Sequence, residues 1–598
     1  MIRRPLRVTA RLAPFFITLA LILAACLPAS EATELPDTPP PPPPSGQTRT
    51  AAQGTYYVRP LGGSPAQCTG LVDADYPGSG TVQPCAWDHP FRAFPPDGTA
   101  QIAGGSALII AYGQYQMGYG APGADACEAD GAYACHMPPI PGGPAPGSPT
   151  RILGAGWDTG CAVPPQLWGT ERATMVLNLD GSDNIEVACL EITDRSGCVE
   201  DHYHGLGGSQ YTCVRDTPPF GPWAAVGLYA ADSSNVYLHH LDIHGLAVDG
   251  VHAGRLSDWT VEDVRIAANG WSGWNGDIDD ADSNSGTMTF RRFTVEWNGC
   301  AETYPGQQPV GCWGQQSGGY GDGIGTGETG GHWLIEDSAF LHNTSDGLDL
   351  LYVHGEGATI TVRRTVARGN AGDQIKTSGS THIENALAVS DCSFFEGKPF
   401  SNFAEGDSCR SGGSAVAFNL HTGDQATLIN STLTGEGDCL LIAVCEQGQC
   451  DGSESVTLRN NILYGHTDWY QPEENTCYYW YDDRVLPSDL LDISYAIIQD
   501  VKSPPEPCPP NSQCGISPGL ANESLDAFDG HLQEGSPAID AGTAAGAPAT
   551  DIERRPRTAP PDIGAYEYGE WEPSAWLYLP AITRRAAFLA AAGLGIGQ

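Results

Sequence analysis

The chain has 598 residues, 71 of them acidic and 29 basic, for a net charge of −42. Nucleic acid is excluded as a partner, because its phosphates need a basic surface. Disorder of the body is excluded as well, since 41% of the residues are hydrophobic.

Arg3, Arg4, Arg7 and Arg11 precede an apolar run from Ala13 to Ala25 and then Cys26. This is the layout of a secretory signal, and the run is too short for a membrane span. Leu23-Ala24-Ala25-Cys26 looks like a bacterial lipobox. That likeness implies a lipoprotein signal over residues 1–26, a lipidated Cys26, and contact with the membrane only through this N-terminal anchor at the cell surface. Residues 27–53, with Pro39 to Pro44 in a row, read as a disordered linker. Outside the cell an acidic shell keeps a protein soluble, but a polyanionic ligand then needs cations to mediate its contact.

Cys26 aside, eighteen of the nineteen cysteines remain, an even number that predicts disulfides in an exported protein. Close spacing suggests local clips at Cys68–Cys85, Cys127–Cys135, Cys198–Cys213, Cys300–Cys312 and Cys508–Cys514. Paired Cys-x-x-Cys motifs of a zinc site are missing.

Residues 54–100 are assigned to an N-terminal cap region and 101–500 to a repetitive body. Four nine-residue segments start with an apolar residue and two like charges and end in asparagine. They are Val261-Glu262-Asp263 to Asn269, Phe290-Arg291-Arg292 to Asn298, Ile335-Glu336-Asp337 to Asn343, and Val362-Arg363-Arg364 to Asn370. Weaker copies begin at Ile185, Val236, Leu428 and Val456. Apolar residues alternate as in half-buried strands, without helical periodicity. On successive rungs of a parallel sheet the alternating charge pairs oppose each other, each worth about 0.2–1 kcal/mol. The closing asparagines suit left-handed turn positions and could stack in a ladder. The pattern predicts an all-β, single-stranded solenoid, a right-handed parallel β-helix of about ten to fourteen coils at roughly 4.7–4.9 Å each. A propeller needs a longer period, and an α/β fold needs amphipathic helices.

Between Cys300 and Gly321 the period is broken by a segment holding Tyr304, Trp313 and Tyr320, with Trp271, Trp274 and Trp297 close in sequence. Trp313, Tyr320 and Trp274 are candidates to stack on sugars; packing of the insertion itself is the other reading. Ser536-Pro537-Ala538-Ile539-Asp540-Ala541-Gly542 leads to Pro561-Asp562-Ile563-Gly564-Ala565-Tyr566. It resembles the closing segment of secreted bacterial β-helix proteins, which implies that 501–568 caps the open end, followed by a tail at 569–598.

Three strings carry the chemistry: Asp322-Gly323-Ile324-Gly325, Asp346-Gly347-Leu348-Asp349 and Asp373-Gln374-Ile375-Lys376. An acid always lies two positions before the aliphatic residue. Starts 24 and 27 residues apart (322 to 346 to 373) suit one coil each. Asp249-Gly250-Val251-His252 and Gly276-Asp277-Ile278-Asp279 are set in the same frame on their aliphatic residues. One column should then hold His252, Asp279, Gly325, Asp349 and Lys376, and a neighbouring column Asp249, Asp322, Asp346 and Asp373.

These strings resemble the pectate lyases of polysaccharide lyase family nine, over roughly residues 250 to 400. The resemblance implies Asp322, Asp346 and Asp349 as calcium ligands and Lys376 as the catalytic base. The implied reaction is β-elimination on an acidic, uronate-containing polysaccharide. Calcium is a hard cation that oxygen ligands hold, and there it would stabilise an enediolate as a Lewis acid. This chain departs from the family at Ser345, where a first aspartate is expected, and Asp279 is the candidate to replace it as a ligand. Two other readings stay open. Gln374-Ile375-Lys376 and Asp279-Asp280 are similar to parts of polygalacturonases, which hydrolyse with a carboxylate pair; their Gly-His-Gly has no counterpart, since Gly331-His332-Trp333 lies elsewhere. A non-catalytic, glycan-binding or adhesive surface protein is the third reading. His202, His204, His239, His240, His244 and His252 lack a consistent ligand spacing and read as structural. The chain is expected to be a monomer.

Overall fold

The computed structural model describes residues 53–569 apart from 128–134, 171–172, 197, 199–222, 279–282, 303–308, 315–319, 356, 404–408, 410–412, 438, 446–449, 467–489 and 503. The signal, Cys26, the linker before Gln53, Asp279, Asp280, Tyr304, His202, His204, the Cys198–Cys213 pairing and the tail after Gly569 lie outside the described residues.

The fold is a right-handed parallel β-helix. Each full coil carries three short strands. Two of its faces belong to one 23-stranded sheet and the third to a nine-stranded sheet. Along the first face one inward position runs Tyr56, Leu108, Ile152, Val187, Leu238, Val261, Phe290, Ile335, Val362, Ile383, Leu428, Leu458 and Ile493. All are buried in one continuous core. These are thirteen rungs, and the first strand, Thr55–Gly63, already lies within the segment expected to be a separate cap. The weaker repeats at Ile185, Val236 and Val456 start two residues early relative to Val261, while Leu428 is in register. A shift of two leaves every side chain on its expected face.

Next to that position the charges oppose as the sequence predicts: Glu262, Arg291, Glu336, Arg363 and Glu384 are direct partners. Arg291 Nε lies 2.8 Å from Glu336, and Arg363 and Arg364 reach the same carboxylate. Asp263, Arg292, Asp337 and Arg364 turn the corner to the second face with left-handed backbone, φ 54, 48, 51 and 50. Arg292 bonds Asp263 at 2.9 Å and Arg364 bonds Asp337 at 2.7 Å.

The asparagine ladder forms. Asn269 donates to Asn298 at 2.9 Å, Asn298 to Asn343 at 2.8 Å, and Asn343 to Asn370 at 2.8 Å. Left-handed backbone falls one residue earlier than expected, at Ala268, Trp297 and His342, because the asparagine side chains are spent on one another inside the turn.

Four expected disulfides are present, Cys68–Cys85, Cys127–Cys135, Cys300–Cys312 and Cys508–Cys514. Cys161–Cys189 and Cys445–Cys450 are further ones. The C-terminal segment first adds to the end of the solenoid, where Gln513 and Cys514 pair with Ile497 and Ile498 of the last rung, and then runs along its side. Ile552, Ile563 and Ala565 pack against Leu387, Val389, Ile462 and Ile497 on the outside of the second face. Corner residues Asn385, Asn430 and Asn460 donate to its carbonyls at Thr550, Asp562 and Thr543, at 2.8, 2.9 and 2.8 Å. It is a lateral strap across several rungs. Among the described residues no helix is long and apolar enough to cross a membrane.

Candidate functional site

The nine-stranded sheet brings the three acidic strings together. Val251, Trp274, Ile324, Leu348, Ile375 and Val416 are successive inward partners. The outward position beside them reads His252, Asn275, Gly325, Asp349, Lys376 and Ala417. Asn275 therefore holds the rung place expected for Asp279. Glycine decides this register. At Gly250, Gly273 and Gly323 an added Cβ would meet the carbonyl oxygen of the next rung's glycine at 2.9, 2.3 and 2.4 Å, as well as a nearby ladder asparagine amide. Ser272-Gly273-Trp274-Asn275 meets that demand, whereas Asp277-Ile278-Asp279 has no glycine at the right place. On the rung of Asp373, Gln374 replaces glycine and ends the ladder, accepting from Asn370 at 2.9 Å.

Two positions before the aliphatic residue lie Asp249, Ser272, Asp322, Asp346, Asp373 and Ser414. The carboxylates hold the turns: Asp322 Oδ1 accepts from Asp346 N at 3.1 Å, Asp346 Oδ1 from Asp373 N at 2.7 Å, and Asp373 Oδ1 from Ser414 N at 2.8 Å. Asp249 Oδ1 accepts from Ser272 Oγ at 3.0 Å. One oxygen of each is thus structural. The other oxygen of Asp346, Oδ2, accepts from Lys376 Nζ at 2.9 Å, and Asp349 Oδ2 accepts from the same ammonium at 3.1 Å. Asp349 Oδ1 accepts from Leu351 N at 2.9 Å.

Charge balance at this cluster is uneven. Burial pushes Asp322 up to about 8, with Asp346 and Asp349 adding to the rise. Burial takes Asp373 to about 7, again helped by Asp346. Asp349 is raised by burial to about 6 against the pull of Lys376. For Lys376 burial alone favours the neutral form, but Asp346, Asp349 and Asp373 outweigh it and hold the amine well above the ordinary lysine range. Ser345, where the resemblance expects an acid, hydrogen-bonds Asp322 through its side chain. Gly325 lets the Asp322 carboxylate approach the strand closely; a Cβ there would lie only 3.2 Å from Asp322 Oδ2.

The aromatic candidates are not on this surface. Trp274 is 1% exposed and points into the core, donating to Ala253 O at 3.1 Å and meeting Trp259 and Phe290 edge to face. Its place in the inward column dictates this. Trp313 and Tyr320 are buried with Ala301 and Trp271 beneath the insertion, so packing of the insertion is what these rings do. His244 is fully buried between Glu302, from the clipped hairpin, and Glu191 at 3.2 Å. His239 lies 3.3 Å from Glu186. Both are structural, as expected.

Among the described residues no set of three His, Cys, Asp or Glu side chains converges with metal-ligand geometry; the ammonium of Lys376 sits where the Asp346 and Asp349 oxygens meet. The donor set is nonetheless all oxygen and more negative than one lysine neutralises, which fits a hard divalent cation.

No family model matches the chain, and no curated protein does. Twenty-six chains of solved structures match. They include pectate lyase Pel9A, at 13% identity over 87% of this chain and 98% of that one, TM-score 0.38. The A-module of Azotobacter vinelandii mannuronan C-5 epimerase AlgE4 matches at 11% over 69% and 89%, TM-score 0.37. An alginate lyase from Paenibacillus sp. str. FPU-7 matches at 14% over 63% and 92%, TM-score 0.30. At such scores these likenesses carry no argument about this chain's chemistry.

Proposed function

We propose that the chain acts on an acidic, uronate-containing polysaccharide laid along the outer face of the nine-stranded sheet, cleaving it by β-elimination with Lys376 as base. The observation that carries the reading is the contact of Lys376 Nζ with Asp346 and Asp349 on an outward strip. Calcium held by Asp322, Asp346 and Asp349 would supply Lewis acidity toward the substrate carboxylate and offset the repulsion between two polyanions. Asp322 and Asp346 each keep one oxygen in the turn ladder and so hold the other in fixed position. Lys376 takes the proton next to the carboxylate at Nζ, for which it must be neutral. Neutralising the charges of Asp346 and Asp349 would remove two of the three carboxylates that keep Lys376 protonated, leaving Asp373. Disulfides support export, and the sequence of residues 1–26 supports a Cys26 lipid anchor.

Protein incubated with polygalacturonate and calcium should give unsaturated products, read as rising ultraviolet absorbance, and chelation should abolish the signal. Lys376→Ala should remove turnover while calcium binding survives; Asp349→Ala should lose both. A polygalacturonase-like hydrolase would instead release reducing ends without absorbance. The reading falls if neither signal appears with any uronate polymer at neutral to alkaline pH. A second reading, glycan binding without catalysis, is favoured by the ion-paired state of Lys376; it predicts retention of polymer with neither signal.

A further inference from the structure

The rings that could meet a sugar lie on the opposite flank from the one the sequence suggests. We propose that Tyr352, His354 and His421 form a sugar-binding subsite along the edge where the strands of the acidic strip end; this rests on the polysaccharide reading above.

Three features support it. First, the turn that follows the strand Leu348–Leu350 is fastened at fixed points. Asp349 Oδ1 accepts from Leu351 N at 2.9 Å, Thr329 N donates to Tyr352 O at 3.0 Å, and Val353 is buried. Tyr352 itself is 47% exposed, so a rigid backbone presents its ring to solvent three residues after Asp349. Second, His354 and His421 stand ring to ring, centroids 4.7 Å apart at 35°, although a whole rung lies between their strands. That rung contributes Gly379, with φ +66, where a Cβ would lie 2.8 Å from Val353 O. The glycine thus lets the backbone of the intervening rung pass close under the turn that carries His354. Third, Asp424 orients one of them: its Oδ2 accepts from His421 N at 2.8 Å and lies 3.5 Å from His421 Nδ1. His421 remains about a third exposed, at 32%.

Tyr352 and His354 flank the buried Val353, and an exposed phenol ring with imidazole nitrogens two residues on matches a pyranose, which offers C–H groups on one face and hydroxyls or a carboxylate at its rim. The subsite follows Lys376 along the strands: Leu350 pairs with Thr377, so the turn bearing Tyr352 leaves beside the turn that follows Lys376. A polymer laid over Asp349 and Lys376 would thus continue onto these rings.

The test uses the full chain with oligogalacturonates. Tyr352→Ala should raise KM about fivefold while kcat stays within about twofold, the range expected for loss of one stacking partner. His354→Ala should behave alike, and oligogalacturonate should protect His354 and His421 from diethyl pyrocarbonate, mapped by mass spectrometry. Protection without turnover would support the subsite and sink the lyase reading. Turnover with unchanged KM in both variants, and no protection, would overturn the subsite and leave the lyase reading standing.

Discussion

Replacing Lys376 by methionine keeps the length of the side chain and removes its charge. In the structure that ammonium is 2.9 Å from Asp346 and 3.1 Å from Asp349, whose side chains are 2% and 13% exposed. Leaving buried carboxylates without their cation costs about 3–5 kcal/mol, and the backbone hydrogen bonds that Asp346 and Asp349 retain place the expectation nearer 3. The loss should depend on pH. Folded-state values of Asp322, Asp349 and Asp373 lie above their ordinary 3.8. Raised carboxylates contribute stability that is complete below that value and is lost as pH rises through the folded ones. Removing the ammonium raises them further, so the gap between wild type and Lys376→Met should be small near pH 5 and widest near pH 8. Chelator-treated protein should be followed by hydrogen exchange at the Leu348 and Ile375 amides, which reports opening of these rungs alone. Millimolar calcium should restore part of the loss. A cost under about 1 kcal/mol, the same at pH 5 and pH 8, would refute the claim that Lys376 neutralises this cluster.

Asn343→Ala should destabilise the central coils by about 3–5 kcal/mol, seen as an early denaturation step, because it orphans the buried amide of Asn298 and the acceptor of Asn370. His244 loses its charged form to burial but is raised to about 10 overall by Glu302, Asp242 and Glu191. Its contribution is therefore full below 6.5 and lost as pH rises through about 10, so the protection factors of the Ala301 and Gly311 amides, corrected for intrinsic base-catalysed exchange, should fall at alkaline pH and lose that fall in His244→Gln. Cys26→Ala should move the protein from the membrane to the soluble fraction; unchanged retention would refute the lipobox reading.

Legibility in the sequence followed how many constraints acted on each residue. The rungs at Val261, Phe290, Ile335 and Val362 were readable because burial, charge opposition and the asparagine ladder all repeat in one register. Leu387 and Val389 gave no such signal. They face outward, yet the lateral strap buries them, and an apolar run covered on both faces has no alternation to read. That the strap lies along the side was hidden for a related reason: its contacts reach corner asparagines 83 to 165 residues away, and nothing local marks those pairings.

The site itself shows why a repeated motif can place four aspartates correctly and misplace a fifth. Asp249, Asp322, Asp346 and Asp373 each serve the turn through one carboxylate oxygen, so the acid-x-aliphatic frame recorded a structural demand before any catalytic one. Where a serine meets the same demand, as Ser272 and Ser414 do, the frame loses its acid, and Gly276-Asp277-Ile278-Asp279, aligned on Ile278 alone, takes the rung's place in the sequence reading. The glycine column is the stricter marker, because backbone carbonyls of adjacent rungs leave no space for a Cβ at Gly250, Gly273 and Gly323. Once Gly273 fixes the rung, Trp274 must point inward with Ile324 and Leu348, and cannot also face a sugar. By the same logic, function is better sought in what the turn does not require. The exposed ring of Tyr352 meets no need of the turn, and Lys376 is demanded only by the carboxylates beside it, not by the coil's own backbone.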